Sequence, residues 1–200
     1  MRTSKLIGVL LVGVIAVFGF GLQAVADEIE DSINEGLKYY KEGQLTEAVS
    51  SLNYAGQLIQ QKKSSGLESF LPAPKEGWEA EAATSEAVNA AMMGGGITAE
   101  RSYYKGDTMV RVQIVADSPM IQSVMMLITN PMYATADGGK LERIGQQKAI
   151  VKYNAADKNG EIQLAVANRF LVTVEGDAVD LQDLKHYAGA IDYTKLASLP

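Results

Sequence analysis

The chain has 200 residues, a formal net charge of −6 and no cysteine. Without cysteine it can form no disulfide and carry no lipid-modified cysteine, so its fold depends on an apolar core. An acidic chain without basic runs argues against binding nucleic acid or an anionic membrane surface, and we expect neither as a partner.

The first 26 residues have the pattern of a signal peptide. Arg2 and Lys5 precede an uncharged apolar run from Leu6 to Leu22, and Ala24-Val25-Ala26 supplies the small residues at a cleavage site. We predict cleavage after Ala26, which leaves 174 residues and, without the two basic residues, a net charge of −8. The alternative is an uncleaved anchor, for which the apolar run is slightly short. The sequence therefore predicts an exported protein, periplasmic or extracellular, with no stable membrane insertion after cleavage.

Residues 27–65 have the spacing of two antiparallel helices joined by a short turn. Apolar residues recur at helical intervals before Gly43, and a second stripe follows it. These two stripes consist of Ile29, Ile33, Leu37 and Tyr40, and of Ala48, Leu52, Ala55 and Ile59 with Val49 beside them. Gly36 and Ala48 are small, so we expect the two helices to approach each other closely.

The stretch GLKYYKEGQLTEAVSSLNYA resembles a tetratricopeptide repeat, and the resemblance covers residues 32–65. The packing positions of that family hold Gly36, Tyr39, Gly43, Ala48, Leu52 and Ala55. The sequence departs from the pattern at Ser32, Glu35 and Gln60. The resemblance implies protein partners, but one copy cannot build the family's peptide-binding groove, because such repeats are stabilised by stacking. The hairpin is either a docking module or a lid packed on the next domain, and we favour packing.

Residues 66–77 are predicted to be a linker, because KKSSG and LPAP break the helix and favour extended backbone. Trp78 follows and is interpreted as a core anchor rather than a ligand platform. A short helix is predicted from Thr84 or Ser85 to Met93, ending at three glycines, residues 94–96. Those glycines lack the residues of a phosphate-binding loop and are interpreted as a hinge.

The remaining residues predict strands with helices between them. Two hairpins are expected, one around Gly106-Asp107 and one from Glu161 to Glu175 with a tight turn at Asn168. The second is predicted to be central in the sheet, with buried alternating residues on both strands. The other predicted elements are a helix after Asp117-Ser118-Pro119, strands at Leu141–Ile144 and Ala149–Tyr153, and a last helix capped by Asp180 whose buried stripe is Leu181, Leu184, Ala188 and Ile191.

This order predicts an α+β domain over residues 78–200, an antiparallel β-sheet packed against helices, after the N-terminal two-helix hairpin. The architecture loosely resembles the PsbP-like and DcrB-like exported α/β/α sandwiches. That resemblance concerns the fold, and a fold by itself does not define a function.

No catalytic, cofactor-binding or metal-binding residue is predicted. His186, the only histidine, should be solvent-exposed, and one histidine without cysteine gives too few ligands for zinc or haem. The numerous methionines, Met125 among them, are interpreted as core filling rather than a copper site. Asp157, Asn159 and Glu161 are interpreted as turn residues rather than a calcium loop, and Asp180 and Asp183 as complements of a helix dipole.

These observations predict an exported, non-catalytic binding or adaptor protein of the cell envelope, a monomer with protein partners. The alternative is a carrier of a small apolar ligand held between the sheet and its helices. An enzyme has no candidate site to support it.

Overall fold

The computed structural model describes residues 20–87, 96–130, 132 and 138–199. The helices described are α1 (Phe20–Lys41), α2 (Leu45–Glu68), α3 (Met120–Thr129), α4 (Leu181–Gly189) and α5 (Tyr193–Ala197). The strands are β1 (Glu79–Ala80), β2 (Thr84–Ala87), β3 (Ile97–Lys105), β4 (Thr108–Ala116), β5 (Lys140–Ile144), β6 (Gln147–Asn154), β7 (Asn159–Val166) and β8 (Phe170–Asp177). Two N-terminal helices pack together and an eight-stranded antiparallel sheet follows, so the predicted α+β class is confirmed.

The chain divides into two compact units, with the boundary between Leu58 and Ile59 inside helix α2. The helix extends to Glu68, so the predicted boundary between the hairpin, residues 27–65, and the linker, residues 66–77, is about one turn too early. Hydrogen bonds from the Ser64 and Ser65 hydroxyls to the Gln61 carbonyl, at 2.9 and 3.0 Å, accompany this extension. The added turn carries Leu67 into the core of the second unit, and burying that side chain outweighs the low helix propensity of serine and glycine. The packing of the hairpin on the sheet domain stays a prediction.

The first unit contains the helical hairpin, which we define as residues 27–58 of α1 and α2. The two helices approach each other closely at Gly36, where a Cβ atom would lie 2.8 Å from Leu52 Cγ and 3.4 Å from the Ala48 carbonyl oxygen. Ala48 and Ala55 are almost completely buried. The expectation that small residues let the helices approach closely is therefore confirmed.

The sheet of the second unit has the strand order β1-β3-β4-β8-β7-β6-β5, and β2 also pairs with β3. Strand β8 lies between β4 and β7, so the predicted hairpin is central, as expected. Three residues, 167–169, separate the paired Val166 and Phe170, and the Arg169 amide donates a hydrogen bond of 3.1 Å to the Val166 carbonyl. The first two, Ala167 and Asn168, have φ angles of 51° and 54°, the positive values that tight hairpin turns need. The predicted alternation is confirmed, because six side chains of this hairpin are buried: Ile162, Leu164, Val166, Phe170, Val172 and Val174.

The main core lies between this face of the sheet and the elements that cover it. Leu67 of α2, Leu184 of α4 and Leu196 of α5 are all buried in it. Trp78 contacts Tyr187 edge-on at 5.5 Å between ring centroids, and the Tyr103 ring lies 4.3 Å from that of Tyr187. The interpretation of Trp78 as a core anchor is therefore confirmed.

The opposite face of the sheet is covered in part by α3. Ile128 of this helix and Ile150 of β6 form a small buried cluster, with Ala165 packed beside them. Ser118 precedes this helix, and its hydroxyl oxygen accepts a hydrogen bond of 3.4 Å from the Met120 amide. Away from this cluster the same face carries a polar group made by Arg111, Gln113, Thr173 and Glu175.

The predicted helix from Thr84 or Ser85 is wrong at its start, because Thr84–Ala87 forms strand β2. Each of its residues pairs with β3, from Thr84 opposite Glu100 to Ala87 opposite Ile97. Pairing with an existing strand satisfies the backbone groups at the sheet edge, and this non-local interaction outweighs the local capping pattern. The remainder of that helix, residues 88–93, and the glycines at 94 and 95 lie outside the described residues.

The predicted signal peptide also lies mostly outside the described residues, and it stays a prediction. Within residues 1–26 the structure describes only 20–26, which form the start of helix α1. Across the described ranges, no helix is both long enough and apolar enough to span a bilayer.

Candidate functional site

The helical hairpin has one polar and one apolar face. On the polar face, Tyr54 Oη donates a hydrogen bond of 2.6 Å to Glu28 Oε1. Ser51 Oγ donates another, of 3.1 Å, to Glu35 Oε2. The hydrogen bond to the Glu28 carboxylate raises the pKa of Tyr54, because it favours the protonated phenol. These bonds join α1 to α2 along one side of the hairpin.

The apolar face lies on the opposite side and combines side chains of both helices. Its members are Ile33, Leu37 and Tyr40 of α1 and Leu45, Val49 and Leu52 of α2. All six are exposed, from 42% for Ile33 to 65% for Tyr40. Single exposed apolar residues are normal on a protein surface, but six together form a patch of the kind that marks an interaction site.

The sequence produces this face through the division of small and large residues. Gly36, Ala48 and Ala55 occupy the contact between the helices, and their size allows the close approach. The larger residues of each stripe, such as Leu37 and Val49, then have no room between the helices. At 100° per residue they project about 60–100° away from the contact line, to the same side of the hairpin.

The methionines do not fill the core as predicted. Met120, Met126 and Met132 are exposed at 53%, 67% and 76%, and Met109 and Met125 are half-buried. Helix α3 is largely apolar, but only Ile121 and Ile128 are buried in it. Val124 packs beside the Ile128 cluster, whereas Met120, Met126 and Leu127 are exposed. Met92 and Met93 lie outside the described residues.

The polar part of the sheet holds an open cavity of about 560 Å³. Its floor includes a row of paired residues across three strands, in which Glu175 of β8 lies opposite Glu161 of β7. Arg111 and Lys152 flank this pair on the neighbouring strands β4 and β6. Facing carboxylates repel each other, and the two flanking cations offset that repulsion. We therefore interpret this row as a solvated face of the sheet, on which the opposite charges balance one another.

The other residues considered from the sequence are not brought together. His186 is exposed on α4, as predicted. Asp183 pairs with Lys75 at 2.5 Å and Asp180 with Lys158 at 3.2 Å, so these carboxylates belong to surface ion pairs. Asp157 lies in a turn and accepts a hydrogen bond from the side chain of Asn154. Within the described ranges, no group of three or more acidic or histidine side chains is arranged to hold a metal ion.

Comparison of the chain with models of protein families, with curated proteins and with solved structures found no match. The resemblance of residues 32–65 to a tetratricopeptide repeat therefore stays a prediction from the residues named above. Sequence analysis found the stripe of the apolar face from its helical period, but did not indicate its exposure. That property depends on what covers each stripe.

Proposed function

We propose that the protein is a non-catalytic binding or adaptor protein of the cell envelope, and that the helical hairpin is its protein-contacting element. The observation that carries this proposal is the exposure of the apolar face. Its side chains are large, lie on both helices and carry no charge, which is the composition of the centre of a protein–protein interface. The hydrogen-bonded polar face on the other side gives the hairpin a defined orientation towards a partner.

The chain offers little support for an enzyme. Its single histidine is exposed, and a catalytic imidazole is normally held by a partner and partly shielded from water. Asp180 and Asp183, the carboxylates singled out in the sequence, form ion pairs with lysines.

Export is proposed from the sequence pattern of residues 1–26 and is tested by intact-mass analysis of the protein recovered outside the cytoplasm. A mature chain beginning at Asp27 is expected, and a membrane-retained chain that keeps residues 1–26 would refute export.

Site-specific photo-crosslinking in the native envelope tests the contact function. A crosslinking residue is placed at Leu37 or Val49 on the apolar face, and at Glu47, an exposed residue away from that face, as the control. We expect discrete protein adducts from the two apolar-face positions and none from Glu47. A second set carrying Leu37→Glu should lose the adduct formed at Val49. Equal adducts at all three positions, or none at the apolar face, would refute the proposal.

The alternative function, a carrier of a small apolar ligand between the sheet and its helices, has less support. At Gly176, near the end of β8, sheet and helix are closely packed: an added Cβ would lie 2.7 Å from Val179 Cγ1 and 2.9 Å from Leu184 Cδ2. The 560 Å³ cavity lies at the polar row of Glu161 and Glu175 instead, which does not suit an apolar ligand.

A further inference from the structure

Four of the six side chains of the apolar face lie symmetrically about a midpoint on each helix, and Tyr40 and Leu45 lie beyond them at the end near Gly43. On α1, Ile33 and Leu37 lie on either side of residues 35–36. On α2, Val49 and Leu52 lie on either side of residues 50–51. Gly36 packs against Leu52 and the Ala48 carbonyl, so the two midpoints lie at the same level along the hairpin. A single two-fold axis in the plane of the face can therefore pass through both.

The charges at the rim of this face follow the same symmetry with opposite signs. Glu30 and Lys41 are both exposed on α1, next to the apolar stripe, and their midpoint is again between residues 35 and 36. They are 11 residues apart, about 16 Å along the helix. A second α1 lying antiparallel across the first would bring each Glu30 to the Lys41 of the other copy. A parallel arrangement would place like charges together.

We propose that the apolar face binds a second copy of this chain, hairpin on hairpin, with the two α1 helices antiparallel. This inference rests on the proposed function only in taking the hairpin as the protein-contacting element. It departs from the monomer expected from the sequence. The opposite rim of the face, on α2, carries the uncharged Thr46 and Asn53, so no buried charge opposes the contact. From Glu30 to Lys41 the face covers roughly 18 Å of α1, by two helix widths of about 10 Å, or about 360 Å² on each copy. This is smaller than a standard stable interface, so we expect a weak dimer in equilibrium with the monomer.

Sedimentation velocity of the mature chain, residues 27–200, over a wide range of concentrations tests the association. We expect a monomer–dimer equilibrium that Leu37→Glu and Val49→Glu each shift to monomer. Glu47→Lys, away from the apolar face, is the matched control and should leave the equilibrium unchanged. Emission of Trp78, buried in the second unit, and far-ultraviolet circular dichroism show whether each variant is folded. A wild-type chain that stays monomeric, or a dimer that survives both apolar-face substitutions, would overturn the proposal.

A charge exchange tests the antiparallel arrangement without altering the apolar face. Glu30→Lys and Lys41→Glu should each weaken the dimer by about tenfold, because each creates two like-charge contacts per dimer. An equimolar mixture of the two variants should recover wild-type affinity as a heterodimer, since both contacts are again between opposite charges. A mixture no tighter than either variant would overturn the antiparallel arrangement.

The outcomes also separate this inference from the function on which it rests. A monomeric chain whose apolar face crosslinks to a different protein would overturn self-association and leave the contact function standing. A chain that forms neither a dimer nor an adduct through this face would overturn both.

Discussion

Asp117 and Arg169 bind each other through both backbone and side chains. The Asp117 amide donates a hydrogen bond of 3.1 Å to the Arg169 carbonyl, and Arg169 Nε donates one of 2.7 Å to Asp117 Oδ1. Arg169 Nη1 also donates to the Leu199 carbonyl at 2.7 Å, and Lys63 Nζ lies 2.8 Å from Asp117 Oδ2. These contacts join four parts of the second unit: the end of β4, the β7–β8 turn, the end of the chain and the end of α2.

The first prediction concerns the pH dependence of this network. Hydrogen bonding to Arg169, and then to Lys63, lowers the pKa of Asp117 below its usual 3.8. A carboxylate with a lowered folded-state pKa stabilises the fold fully above its unfolded-state pKa, and this stabilisation is lost as the pH falls through the folded-state value. Asp117→Asn should therefore be less stable than wild type at neutral pH, and the difference should vanish below the folded-state pKa.

Urea unfolding of both proteins from neutral pH down to below pH 3.8 measures this effect. Asparagine tolerates the positive φ of 56° at this position, so the substitution isolates the charge. A difference that is the same at all pH values would show that the ion pair does not contribute. The side chain of Asp117 is one-third exposed, so solvent screens part of the contribution.

The second prediction concerns the central hairpin of the sheet. Phe170→Ala should lower the free energy of unfolding by roughly 3–5 kcal/mol, because it removes a buried ring and leaves a cavity. Leu164→Ala should cost somewhat less, within about 2–5 kcal/mol. Leu127→Ala, at a partly exposed position of α3, is the control and should change stability by about 0.5 kcal/mol or less. Urea melts followed by Trp78 emission measure all three, and a Phe170→Ala variant within about 1 kcal/mol of wild type would contradict the packing.

The third prediction compares two glycines of the helical hairpin. At Gly56 no atom lies within 4 Å of an added Cβ, so alanine should stabilise α2 by about 0.5–1 kcal/mol through its higher helix propensity. At Gly36 the same Cβ would lie 2.8 Å from Leu52 Cγ, so alanine must displace that leucine or separate the helices.

We therefore expect Gly36→Ala to be less stable than Gly56→Ala by at least about 1 kcal/mol. Hydrogen exchange of α1 amides in the full chain measures the local opening free energy in both variants. Equal protection in the two would mean that the helices do not touch at Gly36.

The fourth prediction concerns the exposed methionines. Met120 and Met126 should be oxidised by dilute peroxide well before Met109 and Met125, because the reagent reaches exposed thioethers first. Peptide mass spectrometry along a time course gives the order. Oxidation of Met125 at the same rate as Met126 would indicate that α3 opens from the sheet, and Met125 oxidised first would contradict its placement.

The sequence by itself determined those elements whose pattern is local. Alternation over two residues identified β4, β7 and β8 and the side chains they bury, because successive side chains of a strand must point to opposite faces. The turn at Asn168 followed from the few residues that accept a positive φ. Helical spacing identified α1, α2 and α4, and the small residues at 36 and 48 indicated where the first two helices meet.

Only the tertiary structure decided which of these elements pair with a strand or are covered by another element. The backbone of Thr84–Ala87 became a strand because β3 was beside it, a partner that the local sequence does not reveal. The stripe containing Leu37 had the period of buried residues but is exposed. Period fixes the direction in which a side chain points, whereas burial depends on whether another element covers that direction. For the same reason Val172, which helices cover, is buried, whereas Val49, which is equally apolar, is exposed and open to a partner.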